Sequence, residues 1–126
     1  MTTWNLNGMK RHVLICNGSS CMRKGGEDVT QAIRDEISQL NIEADIHTTR
    51  TRCNGRCKDA CVVIVYPEGN WFKEVTPSLG RKIVQDCMQK DTNLLDSLLY
   101  KYDAEGFVKV SDSSEKGIEK PIRIGG

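Results

Sequence analysis

Six cysteines, Cys16, Cys21, Cys53, Cys57, Cys61 and Cys87, carry most of the chemistry available to this 126-residue chain. Four of them form two compact pairs, Cys16-Asn-Gly-Ser-Ser-Cys21 and Cys53-Asn-Gly-Arg-Cys57, and each pair straddles an Asn-Gly turn. Four thiolates from two loops are what a [2Fe–2S] cluster requires, because each iron takes two protein ligands beside the two bridging sulfides. Gly18 and Gly55 let the loop backbones curl so that N–H groups reach the sulfurs, where they stabilise negative charge. Structural zinc also uses four thiolates, but its commonest grouping is Cys-x2-Cys on a tight knuckle, which the x4 and x3 spacings fit less well. A dithiol oxidoreductase wants Cys-x-x-Cys at a helix N-terminus to lower the nucleophile's pKa, and no such spacing occurs. Two loop-borne pairs also argue against four incidental core thiols.

The remaining two cysteines read differently. Cys61 opens an apolar run and Cys87 falls on the apolar face of a helix, both ordinary places for one of the most buried residue types. A ligand exchange between Cys61 and Cys57, or a redox role for Cys61, is the sharper alternative. His12 and His47 are the only histidines and neither is needed as a ligand, and Ser19 and Ser20 serve as turn residues or as donors to sulfur. No catalytic constellation accompanies the cysteines. Arg23, Lys24, Arg50, Arg52, Arg56 and Lys58 lie within a few positions of a proposed ligand, against Glu27, Asp28 and Asp59, so the rim of the site should be basic. Adjacent cations favour the reduced, more negative state of such a centre, and the same patch suits an acidic redox partner or a solvated face.

Elements to position these loops follow from the hydrophobic pattern. His12 to Asn17 reads as a short buried strand that delivers Cys16 to a loop. Glu27 and Asp28 suit a first helical turn, and Val29, Ala32, Ile33, Ile37 and Leu40 repeat at helical spacing, giving a helix that ends near Asn41. Ile42, Ala44 and Ile46 alternate as in a half-buried strand, followed by a basic irregular loop that holds Cys53 and Cys57. Cys61 to Tyr66 is β-branched and apolar on both faces, as in a central strand, and Pro67-Glu68-Gly69-Asn70 turns it into a hairpin with Trp71 to Val75. Thr76-Pro77 then caps and starts a helix through Leu79, Ile83, Val84, Cys87 and Met88. The order is β-α-β-β-β-α, an α/β layered arrangement with helices on a sheet. Leu94, Leu95, Leu98, Leu99 and Tyr102 suggest a further short helix, and Gly106 to Val110 an added strand. From Ser111 onward the composition reads as a flexible tail that contributes little to the core, with Pro121-Ile122-Arg123-Ile124 as a docking segment.

Cys-x4-Cys after the first strand, Arg52-Cys53-Asn54-Gly55-Arg56-Cys57, and Val-Val-Ile-Val-Tyr-Pro-Glu-Gly before Asn70-Trp71-Phe72 together resemble the thioredoxin-like [2Fe–2S] ferredoxins. The Cys-x4-Cys variant is similar to the 24 kDa subunit of respiratory complex I. The resemblance spans residues 12–88. It implies a single thioredoxin-like domain there; outside it, composition and spacing give a polar segment 1–11 and a C-terminal extension 89–126, partly helical and then flexible. It further implies a cluster bound by Cys16, Cys21, Cys53 and Cys57 and one-electron transfer to a reductase or biosynthetic enzyme, often as a homodimer. Similarity to small ferredoxins that accompany cobalamin synthesis in bacilli suggests such a setting. The chain departs from the family pattern at Ala60-Cys61, where Gly-Pro is usual, so Cys61 is an extra thiol near the site.

Composition bounds these readings. With 38% hydrophobic and 28% charged residues the chain can build one modest core under a solvated surface, and its length leaves no room for a two-domain enzyme. Eighteen Lys and Arg against seventeen Asp and Glu leave a net charge of +1, which gives no bulk attraction to nucleic acid. The longest apolar runs fall far short of the about 18 to 20 residues that cross a bilayer, and the N-terminus lacks a secretory core. Cytoplasmic location, no membrane and no nucleic-acid partner are the expectations.

Overall fold

A computed structural model describes residues 2–89 and 94–120. The chain runs β1 (Arg11–Cys16), α1 (Ser19–Arg23), α2 (Gly26–Gln39), β2 (Ile46–Thr51), β3 (Val63–Tyr66), β4 (Asn70–Phe72), α3 (Pro77–Gln89), β5 (Leu98–Asp103) and β6 (Gly106–Lys109), with 3-10 turns at Cys57–Asp59 and Leu95–Ser97. One mixed sheet of six strands holds them in the order β2-β1-β3-β4-β5-β6. β1 pairs parallel with β2 and antiparallel with β3, and every later pairing is antiparallel.

Alternation along the strands sorts the sheet's two faces. Val13 and Ile15 of β1, Val63 and Val65 of β3 and Phe72 of β4 are buried with Val29, Ile33 and Ile37 of α2 and Ile83 and Val84 of α3. That face is the core, and α2 and α3 pack on it and on each other; a Cβ at Gly80 would stand 3.0 Å from Ile33 Cγ1. The helix periodicity seen in the sequence is the packing face. Thr76 caps α3 as read, its Oγ1 accepting from the Leu79 N–H at 3.1 Å.

Three local readings change. The alternation at Ile42, Ala44 and Ile46 is not yet a strand: Asn41 at φ 57° ends the helix, and Asp45 N–H to Ile42 carbonyl closes a turn before β2 starts at Ile46. β2 instead runs through the polar stretch His47 to Thr51, because an edge strand satisfies its backbone on β1 and leaves its outer side to water. The central strand begins at Val63 and the second hairpin strand stops at Phe72, shorter than the apolar runs suggest.

The helix expected over Leu94 to Tyr102 is absent. Leu95–Ser97 forms a single 3-10 turn, and Leu98–Asp103 is a strand that covers the exposed edge of the three-residue β4. Pairing decides this outcome: Tyr100 lies opposite Trp71 with their rings edge to face at 5.8 Å, while Leu98 lies opposite Phe72 and packs against the core and Leu99 is fully buried. β6 forms where the added strand was expected. Ser111 is buried, so the segment that follows β6 is held against the body at its base. The proposed docking segment Pro121 to Ile124 lies outside the described residues. Among the described residues no helix is long and apolar enough to cross a membrane.

Candidate metal centre

Both cysteine pairs leave the C-terminal ends of neighbouring parallel strands. β1 ends at Cys16, whose N–H donates to the Val62 carbonyl at 3.0 Å, and the next N–H, of Asn17, donates to the Thr51 carbonyl at the end of β2 at 2.7 Å. The chain then turns through Gly18 into α1, which carries Cys21. On the β2 side, Cys53 follows Arg52, Gly55 turns the loop at φ +84°, and Cys57 opens the 3-10 turn. The loops touch at Gly18: a Cβ there would stand 2.8 Å from Cys53 Cα and 2.9 Å from Cys53 N.

Cys16, Cys21, Cys53 and Cys57 line one small pocket together with Gly18, Ser20, Asn54, Arg56 and Val62. Cys16 and Cys21 are buried and Cys53 and Cys57 are exposed, so the pocket has a protein floor and an open outer edge. The Cys53 and Cys57 sulfurs are 3.3 Å apart, and the Gly55 N–H donates to Cys53 Sγ at 3.3 Å. Burial pushes the Cys16 thiol up, but backbone N–H groups at Gly18 and Asn54, the Cys21 thiol and the Asn54 side chain more than offset this and hold it below the ordinary thiol value. Cys21 lacks so many donors, and burial drives it up to about 12. At Cys53 the Gly55 N–H pulls down, and the Cys57 thiol, desolvation and neighbouring thiolates outweigh it to raise the value. Among the described residues no three Cys, His, Asp or Glu side chains converge on one point, so the sulfurs stand as two pairs.

This donor set fits a [2Fe–2S] cluster in its chemistry: four sulfurs, two per loop, with backbone N–H groups aimed at sulfur. Cys61 does not line the pocket but lies behind Cys21, buried, with its Sγ donating to the Cys21 carbonyl at 3.2 Å and the Lys24 carbonyl at 3.5 Å. Burial raises its pKa, as expected for a core thiol that braces the helix bearing Cys21. Cys87 is half-buried on α3 beside the core, and burial raises it to about 11. His12 and His47 meet each other, rings 5.1 Å apart, away from the cysteines.

The basic rim is partly spent inside the molecule. Arg50 forms a two-pronged pair with Glu27 at 2.8 and 3.0 Å. Arg56 pairs with Asp59 at 2.9 Å, both side chains nearly buried, and Lys58 pairs with Glu115 at 3.0 Å. Arg23, Lys24 and Arg52 are exposed and have no carboxylate partner among the described residues. In the sequence all six cations look alike, since neither Asp59 facing back onto Arg56 nor the return of residues 115–116 leaves a periodic trace.

Residues 2–88 match the family model for thioredoxin-like [2Fe-2S] ferredoxin. The chain belongs to this family. It is 58% identical over 121 residues to a protein of Priestia megaterium provisionally named a 2Fe-2S ferredoxin, covering 95% of this chain and 94% of that one. A 2Fe-2S ferredoxin of Clostridium pasteurianum is 27% identical over 88 residues, 64% of this chain and 86% of the relative. The solved thioredoxin-like [2Fe-2S] ferredoxin of Aquifex aeolicus superposes with a TM-score of 0.66 at 24% identity, over 75% of this chain and 94% of that one, and so shares the fold. The cofactor of this ferredoxin is a [2Fe–2S] cluster and its function is electron transfer.

Proposed function

We propose that Cys16, Cys21, Cys53 and Cys57 hold the cluster, and that the ferredoxin carries single electrons from a donor to a reductase or biosynthetic enzyme without turning over a substrate itself. The observation that supports this most is that all four cysteines line one pocket at the ends of β1 and β2. When bound, the cluster supplies a centre that gains and loses one electron. The chain's own part is electrostatic. N–H groups of Gly18, Asn54 and Gly55 face the sulfurs and stabilise their negative charge, which raises the reduction potential. Buried Cys16 and Cys21 anchor the inner side, while exposed Cys53 and Cys57 leave the outer side open to a partner.

Anaerobic purification followed by metal analysis tests the reading: iron and acid-labile sulfide in equal amounts, with a visible spectrum that bleaches and recovers on one-electron reduction and reoxidation. A colourless protein with stoichiometric zinc, or iron without reversible reduction, contradicts it.

In this reading residues 12–88 are the cluster-bearing unit of a cytoplasmic carrier that pairs with a second copy of itself, and partners dock through acidic surfaces at Arg23, Lys24 and Arg52. These are the rim cations without a carboxylate partner among the described residues. Electron transfer to an acidic flavodoxin should slow as salt rises, since the Debye length falls from about 30 Å at 0.01 M to about 10 Å at 0.1 M. Arg23→Gln combined with Arg52→Gln should flatten that salt dependence and leave the fold intact. Stopped-flow rates indifferent to salt and to the double substitution would place the docking surface elsewhere.

A further inference from the structure

The segment after β6 does not trail away from the site. Lys73 is nearly buried, and its ammonium donates to Ser111 Oγ at 2.6 Å and Ser113 Oγ at 3.0 Å, while Ser111 Oγ also meets Ser114 Oγ at 3.1 Å. The chain then reaches the loop between Cys53 and Cys57. Arg56 Nη1 donates to the Lys116 carbonyl at 3.1 Å and Nη2 to the Glu115 carbonyl, while Nε is held by Asp59. The guanidinium also lies over the Tyr100 ring, 5.4 Å from its centroid. At Gly117, φ is +85° and a Cβ would stand 3.0 Å from Arg56 Nη1, so a side chain there is disfavoured twice over.

We propose that residues 111–117 form a strap that positions Cys57 through Arg56, which makes the C-terminal extension part of the cluster site. Arg56 immediately precedes Cys57, and its carbonyl accepts the Asp59 N–H that closes the 3-10 turn. The rest of the loop has little burial to hold it, since Cys53, Gly55, Cys57 and Lys58 are all exposed. A planar fork with three nitrogens engaged on three different groups fixes this turn in a way a lysine cannot. Arg56 is therefore a positioning residue, and its charge is not offered to a partner. The exposed Lys58–Glu115 pair adds little by itself.

The proposal rests on Cys57 being a ligand, and its test separates the two claims. Three variants of the loaded protein are compared with the full chain: Arg56→Lys, Gly117→Val, and truncation after Val110. Each should assemble the normal spectrum, bleach about three- to tenfold faster under an iron chelator, and speed amide hydrogen exchange at residues 54–58 by a similar factor, the range expected for losing a typical hydrogen bond. Exchange in α2 and β3 should be unchanged. Arg56→Lys should speed bleaching less in the truncated chain than in the full chain, because only its contacts with Asp59 and Tyr100 are left to lose there. Unchanged bleaching and loop exchange, additive effects, or faster exchange throughout the core would overturn the strap. A normal cluster in Cys57→Ser would remove the ligand assignment instead, with the loop-exchange result still reporting whether the strap holds Arg56.

Discussion

Gly18→Ala should fold and fail to retain its cluster. The added methyl would sit 2.8 Å from Cys53 Cα and 2.9 Å from Cys53 N, and both are backbone atoms that cannot rotate away. One loop must withdraw from the other, which parts the pair Cys16 and Cys21 from the pair Cys53 and Cys57. Overpacking of this kind typically costs about 1–3 kcal/mol, a loss that a core built on Val13, Ile15, Ile33 and Val84 survives. Folding should therefore persist by circular dichroism with a lowered Tm, while iron content falls several-fold. Ser19→Ala, at the exposed neighbouring position, should change neither. Full iron content in Gly18→Ala would mean that the close approach of the two loops is not what the centre requires.

Much of this arrangement was legible in the residues. The pairs of cysteines around Asn-Gly, the apolar stripe of α2, the Thr76-Pro77 start of α3 and the run before Pro67 all state their roles in a local pattern. What was not legible depends on distant partners. β2 is polar because it is an edge strand, so no alternation announces it. Leu98 to Tyr102 has a spacing compatible with a helix, and the decision for a strand comes from the open edge of β4 and from Trp71 opposite Tyr100. The strap was least visible of all. Ser111 to Lys116 has the composition of a solvated tail, and its bonds run from Lys73 to hydroxyls and from Arg56 to carbonyl oxygens, neither of which leaves a hydrophobic signature. For the same reason Arg56 reads as one more rim charge in the sequence, although its side chain is only 11% exposed and is spent on Asp59 and the strap.

The ligand assignment carries the largest expected effects. Removing one thiolate leaves an iron short of a ligand, and serine's hydroxyl is a poor replacement at neutral pH, since its pKa lies far above that of a thiol. Cys16→Ser and Cys21→Ser should be the more severe, because both sulfurs lie on the buried floor of the pocket. Cys53→Ser and Cys57→Ser, at the open edge, should give residual, spectrally altered centres that bleach quickly. Cys61→Ser and Cys87→Ser should keep the parent spectrum, since one thiol donates to the Cys21 and Lys24 carbonyls and the other lies on α3. The most direct measurement is thus the visible and electron paramagnetic resonance spectrum, with iron and sulfide content, of all six single variants purified without oxygen. The account predicts loss or alteration in Cys16, Cys21, Cys53 and Cys57 and a parent spectrum in Cys61 and Cys87; a bleached Cys61→Ser beside an unaltered Cys57→Ser would contradict it.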